Sequence, residues 1–179
     1  MTKIAAIPTT YAGVRFRSRL EAKWAAFFDL LTWPWEYEPL DLDGYVPDFI
    51  LRFAAPIAVE VKPLLWLATG EEAEIIAVSR AKFLSWEREA LLVGSCIGAG
   101  DGLSFIGELR EPDHGTASWD RAFTFRCLDC GRPSFAHSSC SWRCRVTGCY
   151  EGDGHIARDE WDPAGDFRAA SNRVQWRAA

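Results

Sequence analysis

The chain has 179 residues, 49% hydrophobic and 25% charged, with nine Trp and eleven Phe, which suits one medium domain with a sizeable core and a small appendage. No apolar run approaches the roughly 20 residues of a membrane helix, and the N-terminus lacks a signal peptide's apolar stretch, so no membrane association and a cytoplasmic setting are expected. The net charge of −5 excludes a uniformly basic nucleic-acid binder, and a reducing compartment leaves the six cysteines needing an explanation other than disulfides.

Residues 1–14 lack periodicity and read as a loose arm. A helix should follow, with Ser18 as N-cap and Glu21 three residues on, as in a capping box. Leu20, Trp24, Phe27, Phe28 and Leu31 recur at helical spacing, and Pro34 stops the helix. Residues 35–39 (WEYEP), 46–53 (VPDFILRF) and 57–62 (IAVEVK) read as strands, the first two separated by a turn at 41–45. Residues 69–89 read as a second helix, with Ile75, Ile76, Val78, Ala81 and Leu84 as its buried side. Strands are expected at 90–97 and 103–109, with a turn at 98–102. The order α-β-β-β-α-β-β predicts an α/β fold with a mixed sheet flanked by helices. Residues 111–120 read as a linker, 121–150 as a cysteine module, and 151–179 as a tail. That tail ends in a short helix after Pro163 that packs Phe167, Ala170 and Val174.

Alternate residues of a strand share a face. Ile57, Val59 and Val61 therefore point to the core, and Ala58, Glu60 and Lys62 to the other side. Asp48, Ile50 and Arg52 share a face of the preceding strand. Pairing the two strands as a hairpin brings Asp48 and Glu60 to one end of the sheet, with Lys62 beside Glu60. Hard Mg²⁺ or Mn²⁺ takes oxygen ligands, which Asp48, Glu60 and the backbone carbonyl of Val61 offer. Such an ion polarises a phosphoryl oxygen and acidifies a bound water. Lys62 would hold that water and offset developing charge. Glu21 could bind a second ion or orient a water, if the first helix crosses the same edge. Taken singly, each feature has a plain reading: a solvated Glu-Lys pair, a Pro-Asp turn and a capping glutamate.

The stretches FRSRLEAKW (16–24), WEYEP (35–39), GYVPDFIL (44–51) and VEVKP (59–63) resemble the PD-(D/E)XK nuclease superfamily. They are closest in wording to its TnsA-like branch and to small phage-type nucleases. The resemblance covers residues 16–63 well and 64–109 by element order alone. It implies a restriction-endonuclease-like αβββαβ core over residues 1–110 and cleavage of DNA. It makes Glu21, Asp48, Glu60 and Lys62 the catalytic set. The setting it implies is a bacterial or phage-infected cell. A protein partner or a homodimer stays compatible with it. The alternative is a non-catalytic nucleic-acid-binding or protein-interaction chain on the same fold, such as a phage adaptor.

Cys127-x2-Cys130-Gly131 has the form of a zinc knuckle, and Cys144-x4-Cys149 supplies a second pair. Structural Zn²⁺ takes four thiolate or imidazole ligands, so Cys127, Cys130, Cys144 and Cys149 are the expected zinc-ribbon set. Cys140, His137 or His155 could replace Cys149. Cys96 reads as a small buried core residue of its strand. Residues 121–150 carry five arginines against one aspartate, whereas residues 71–120 carry ten acidic side chains against four basic ones. Arg121, Arg126, Arg132, Arg143 and Arg145, with Phe125, Phe135, Trp142 and Tyr150, are therefore candidate contacts to phosphates and bases. Solvation of a small module is the plainer reading of those arginines.

Overall fold

A hairpin opens the chain: Thr9–Tyr11 (β1) pairs with Val14–Phe16 (β2), Tyr11 opposite Val14. The turn residues Ala12 and Gly13 both have positive φ, the geometry of a tight two-residue hairpin. The expected loose arm is thus ordered from Thr9, because Phe16 drops into the aromatic core beside Tyr37 and Phe49. The computed structural model describes residues 6–42, 44–100, 102–112, 118–137, 143–149, 156–157 and 161–174.

Helix α1 (Arg19–Leu30) begins as expected, with the Ser18 hydroxyl accepting the Glu21 N–H. It ends four residues before Pro34. Thr32, in the left-handed region, donates to Asp29 O, and Trp33 donates to Phe28 O. This Schellman geometry closes the helix without proline.

Then follow β3 (Trp35–Tyr37), β4 (Phe49–Leu51), β5 (Ile57–Val61), α2 (Gly70–Ala81), β6 (Ala90–Gly100) and β7 (Leu103–Glu111). The chain continues with β8 (Ser118–Cys127), β9 (Pro133–His137), β10 (Ile156–Ala157) and α3 (Pro163–Arg173). The sheet order is β10-β8-β7-β6-β5-β4-β3, with β9 on the other side of β8. β5 and β6 are parallel and the remaining pairs antiparallel, so the sheet is mixed and the fold is α/β. No helix among the described residues is long and apolar enough to cross a membrane.

The strand alternation read from sequence holds. Phe49, Leu51, Ile57, Val59 and Val61 join the main core, whereas Ile50 and Ala58 pack on the opposite face with Phe83 and Ala90. The C-terminal helix docks as expected: Phe167, Ala170 and Val174 are buried, and the Phe167 ring lies 4.7 Å from Trp24 and 5.6 Å from Phe27.

Two further expectations change. The second helix stops at Ala81 instead of 89 and unwinds into three-residue turns that carry Phe83 under the sheet. Of its expected buried side, Ile75 and Ile76 are half-buried, while Val78, Ala81 and Leu84 are exposed. Second, β8 starts at Ser118, inside the stretch read as linker, and pairs with β7 from Phe105 to Glu111. Residues 113–117 lie outside the described set. The cysteine segment shares the main core, since Cys127, Phe135 and Cys144 cluster with Trp33 and Phe53. The Trp33 indole N–H also donates to Pro133 O at 3.1 Å.

Candidate functional site

The β4–β5 hairpin sets Asp48, just before β4, near Glu60, at the end of β5. Both side chains are nearly fully buried, at 4% and 2% exposure. Asp48 Oδ2 accepts the Val61 N–H at 2.7 Å, which clamps the carboxylate to the neighbouring strand. Its Oδ1 accepts from the Arg17 guanidinium at 2.5 Å. Burial and then the Glu60 charge push the Asp48 carboxyl up to about 7, against the Val61 hydrogen bond and the Lys62 charge.

Glu60 is driven the other way. Burial alone would raise its carboxyl. The Lys62 charge, with hydrogen bonds from Lys62, Lys82 and Tyr45, outweighs burial and holds it below the usual range. Lys82 Nζ reaches Glu60 Oε1 at 2.7 Å and lies over the Tyr45 ring. The Tyr45 hydroxyl donates to Glu60 Oε2, and burial with the Glu60 charge raises its phenol, so it stays a donor. Two adjacent carboxyls whose titrations are driven apart are typical of sites that do acid–base or metal chemistry.

Lys62 sits beside Glu60 as expected. Its ammonium contacts Glu60 Oε1 and lies 3.3 Å from Val61 O. Glu21 is buried near this edge. It keeps its capping role through Ser18, accepts from the Tyr37 hydroxyl at 2.6 Å, and accepts the Arg17 N–H at 3.2 Å. Arg17 also pairs with Glu38 at 2.8 Å, and Glu38 has φ +46, a left-handed backbone at a non-glycine residue. Glu21 thus caps α1 and also lies beside the Arg17 that pairs with Asp48.

A hard cation at this edge would draw on the oxygens of Asp48, Glu60 and the Val61 carbonyl. The outward oxygens of Asp48 and Glu60 are met by three cationic side chains, Arg17, Lys62 and Lys82, and the Val61 carbonyl lies against the Lys62 ammonium. These side chains already neutralise the two carboxylates, so a metal ion binding there would displace at least one of them. Arg17, Tyr37, Tyr45 and Lys82 were not found by the sequence reading. Lys82 and Tyr45 reach Glu60 from 22 and 15 positions away, and no local pattern reports contacts of that range.

The thiols of Cys127, Cys130, Cys144 and Cys149 lie within 4.8 Å of one another, a group of four that could hold one metal ion. Cys130 and Cys144 Sγ are 3.8 Å apart. Sulfurs around a tetrahedral Zn²⁺ with Zn–S near 2.3 Å stand roughly that far apart. Two like turns build the cluster. Gly131 N donates to Cys127 O at 2.8 Å, and Gly148 N donates to Cys144 O at 2.9 Å. Both glycines have φ near +70, which a side chain would strain (Gly131 +69, Gly148 +74). In the second turn Thr147 occupies the position that Cys130 holds in the first. Its hydroxyl donates to Cys130 Sγ at 3.3 Å and lies 2.8 Å from Cys149 Sγ. The longer Cys144-x4-Cys149 spacing is thereby explained: Cys149 enters from one residue beyond the turn glycine.

His137 ends β9 with its ring buried and is not in the thiol cluster. Cys140, His155, Trp142 and Tyr150 lie outside the described residues. Cys96 is half-buried, not a core residue, with its thiol 3.7 Å from Leu65 O. The basic island is partly internal. Arg145, at 4% exposure, binds Glu89, Glu111 and Phe135 O, and Arg143 binds Glu89. Phe125 and Phe135 are core residues, so they are closed to stacking on bases. Arg126 and Arg132 stay exposed.

No protein-family model, no curated protein and no solved structure matches this chain.

Proposed function

We propose that the chain is a metal-dependent DNA endonuclease that hydrolyses phosphodiester bonds, built on a restriction-endonuclease-like core with a structural zinc ribbon. The observation that carries the reading is the buried Asp48–Glu60 pair at one sheet edge, with Lys62 against Glu60. The element run α1-β3-β4-β5-α2-β6, with β5 and β6 parallel, agrees with the αβββαβ order expected of that core.

Asp48, Glu60 and Val61 O would hold Mg²⁺ or Mn²⁺. Bound there, the ion supplies a Lewis acid for the phosphoryl oxygen and acidifies a water. The Val61 N–H keeps the Asp48 carboxylate turned toward Glu60. Tyr45 and Lys82 orient Glu60, which leaves Lys62 to hold the attacking water and offset charge on the phosphorane. Glu21 orients a water or a second ion from the α1 side. Cys127, Cys130, Cys144 and Cys149 hold the structural Zn²⁺, a closed site with no open position for chemistry. Arg126 and Arg132 are its exposed cations for DNA phosphates.

A rival reading, a protein-interaction chain on the same fold, is favoured by Val78 and Leu84, left 63% and 81% exposed on and after α2. Cleavage separates the two. The purified chain should cut or nick duplex or branched DNA with Mg²⁺ or Mn²⁺. Asp48→Ala and Glu60→Ala should each abolish cutting while zinc content and circular dichroism stay as in the wild type. Unchanged cutting in either variant overturns the mechanism, and no cutting of any substrate favours the interaction reading.

A further inference from the structure

The loop that follows Lys62 leaves β5 on the rim that carries Asp48 and Glu60. Its residues alternate sharply. Leu64 is fully buried and Trp66 half-buried, whereas Leu65 and Leu67 are 53% and 66% exposed. This is not a slack segment. The Glu72 carboxylate accepts the backbone N–H groups of Leu65, Trp66 (3.1 Å) and Leu67 (2.7 Å). The Trp66 indole donates to Cys96 O at 3.1 Å, and Ser95 N donates to Leu64 O at 2.7 Å. Gly94 lies directly beneath, where an added Cβ would stand 2.7 Å from both the indole nitrogen and Leu64 O. Trp66 and Ala68 have φ +62 and +55, a left-handed backbone that costs residues with a Cβ.

Backbone strain, a carboxylate committed to backbone N–H groups and a glycine cleared for an indole together hold two leucines out into water. Exposed apolar side chains on a rigid mount next to a cleavage centre have a known physical use on DNA. Leucine wedges enter a base step, partly unstack it and kink the duplex. What two leucines gain on leaving water is of the same order as the cost of opening one step. The insertion is therefore most favourable where a base is already unpaired.

We infer that Leu65 and Leu67 form an apolar wedge that enters the base stack beside the cleavage centre. The preferred substrate class is then DNA with an unpaired or frayed base: a bulge, mismatch, branch or end. This inference rests on the nuclease reading above. Arg17, 60% exposed on the same rim, supplies a cation for the flanking backbone.

The test uses the full chain and a duplex carrying 2-aminopurine beside a single bulged base, against the same sequence fully paired. Wild type should bind the bulged duplex about tenfold tighter, because unstacking costs least at an unpaired base, and brighten the probe. Leu65→Ser/Leu67→Ser should lose that preference and the brightening, with melting temperature and Mn²⁺ affinity unchanged. If the pair of substitutions unfolds the chain, Leu67→Ser alone gives the same readout. Cleavage of paired DNA with no preference in wild type, or a preference retained in the variant, overturns the wedge and leaves the nuclease standing. Absence of both DNA binding and cleavage in wild type overturns the nuclease reading itself. Loss of self-association or of a bound protein in the leucine variant, with DNA binding intact, assigns the leucines to a protein partner and overturns the wedge.

Discussion

Arg17 and Asp48 form an ion pair 2.5 Å long in which one partner is 60% exposed and the other 5%. The guanidinium cannot lose its proton at working pH. A cation arriving at Asp48 Oδ1 must therefore displace Arg17, which can stay on Glu38. Solvent screens the pair from the exposed Arg17 side, which holds its worth to about 1 kcal/mol, so the competition is modest. Arg17→Met should tighten Mn²⁺ binding by up to roughly fivefold at pH 8, measured by calorimetry. DNA affinity should fall in the same variant, because a rim cation is lost. Weaker Mn²⁺ binding in the variant would mean that Arg17 helps build the site instead of competing for it.

The divergent titrations of Asp48 and Glu60 give a signed pH dependence. Burial and the Glu60 charge raise Asp48 from 3.8 to about 7, so the folded state prefers its neutral form. The stability from that preference is fully present below 3.8 and lost as pH rises to about 7. Glu60, held low, contributes in the opposite sense: its stability is present above 4.5 and lost as pH falls through its folded value. In metal-free protein, Asp48→Asn should flatten the decline in melting temperature between about pH 4 and pH 7. Mg²⁺ should raise the wild-type melting temperature more at pH 8 than at pH 6, since binding requires the ionised carboxylate. An equal Mg²⁺ shift at both values would show that Asp48 is ionised throughout.

Glu89 and Arg145 make a buried pair at 3.1 Å that joins the second cysteine turn to the entry of β6. The Glu89 carbonyl also accepts from Ala58 N and the Trp86 indole. Removing one member of a buried pair leaves an uncompensated charge, which costs about 3–5 kcal/mol. Arg145→Met should lower stability by that order in urea melts. Glu89→Leu added to it should recover part of the loss. A single-variant loss under about 1 kcal/mol would show that Arg143 alone satisfies Glu89.

Much of this arrangement was legible in sequence, and what was not has a physical reason. Period-2 alternation placed Ile57, Val59 and Val61 in the core and Glu60 on the other face, because both sides of β5 are decided by local pattern. The Ser18–Glu21 box started α1 for the same reason. The α2 face could not be read that way. Its apolar residues match helical spacing, yet the sheet face above it is filled by Phe83 from the turn beyond. Arg143 and Arg145 looked like a polyanion patch because their partners, Glu89 and Glu111, are more than 30 residues away. The linker reading failed because polar residues 111–120 also include Trp119 and Asp120, which pair with Arg110 and Leu109 in the sheet.

That last correction changes what metal removal should do. Had the thiol cluster been a detached module, chelation would leave the sheet intact. Cys127 instead ends β8, a strand bonded to three others, and Cys144 is buried with Phe135 and Trp33 in the main core. Burial pushes the Cys127 thiol up to about 12, so without a cation this buried sulfur stays protonated. Metal analysis should find about one zinc per chain. Cys127→Ser, or chelation, should lower one cooperative melting transition for the whole chain, read in parallel by circular dichroism and by tryptophan fluorescence. Thr147→Val keeps the volume but removes the hydroxyl that contacts three sulfurs, and zinc should leave it faster in a chelator competition. Two separate transitions on chelation, the higher one unchanged from the zinc-loaded protein, would mean that the cysteine segment folds on its own despite the shared core.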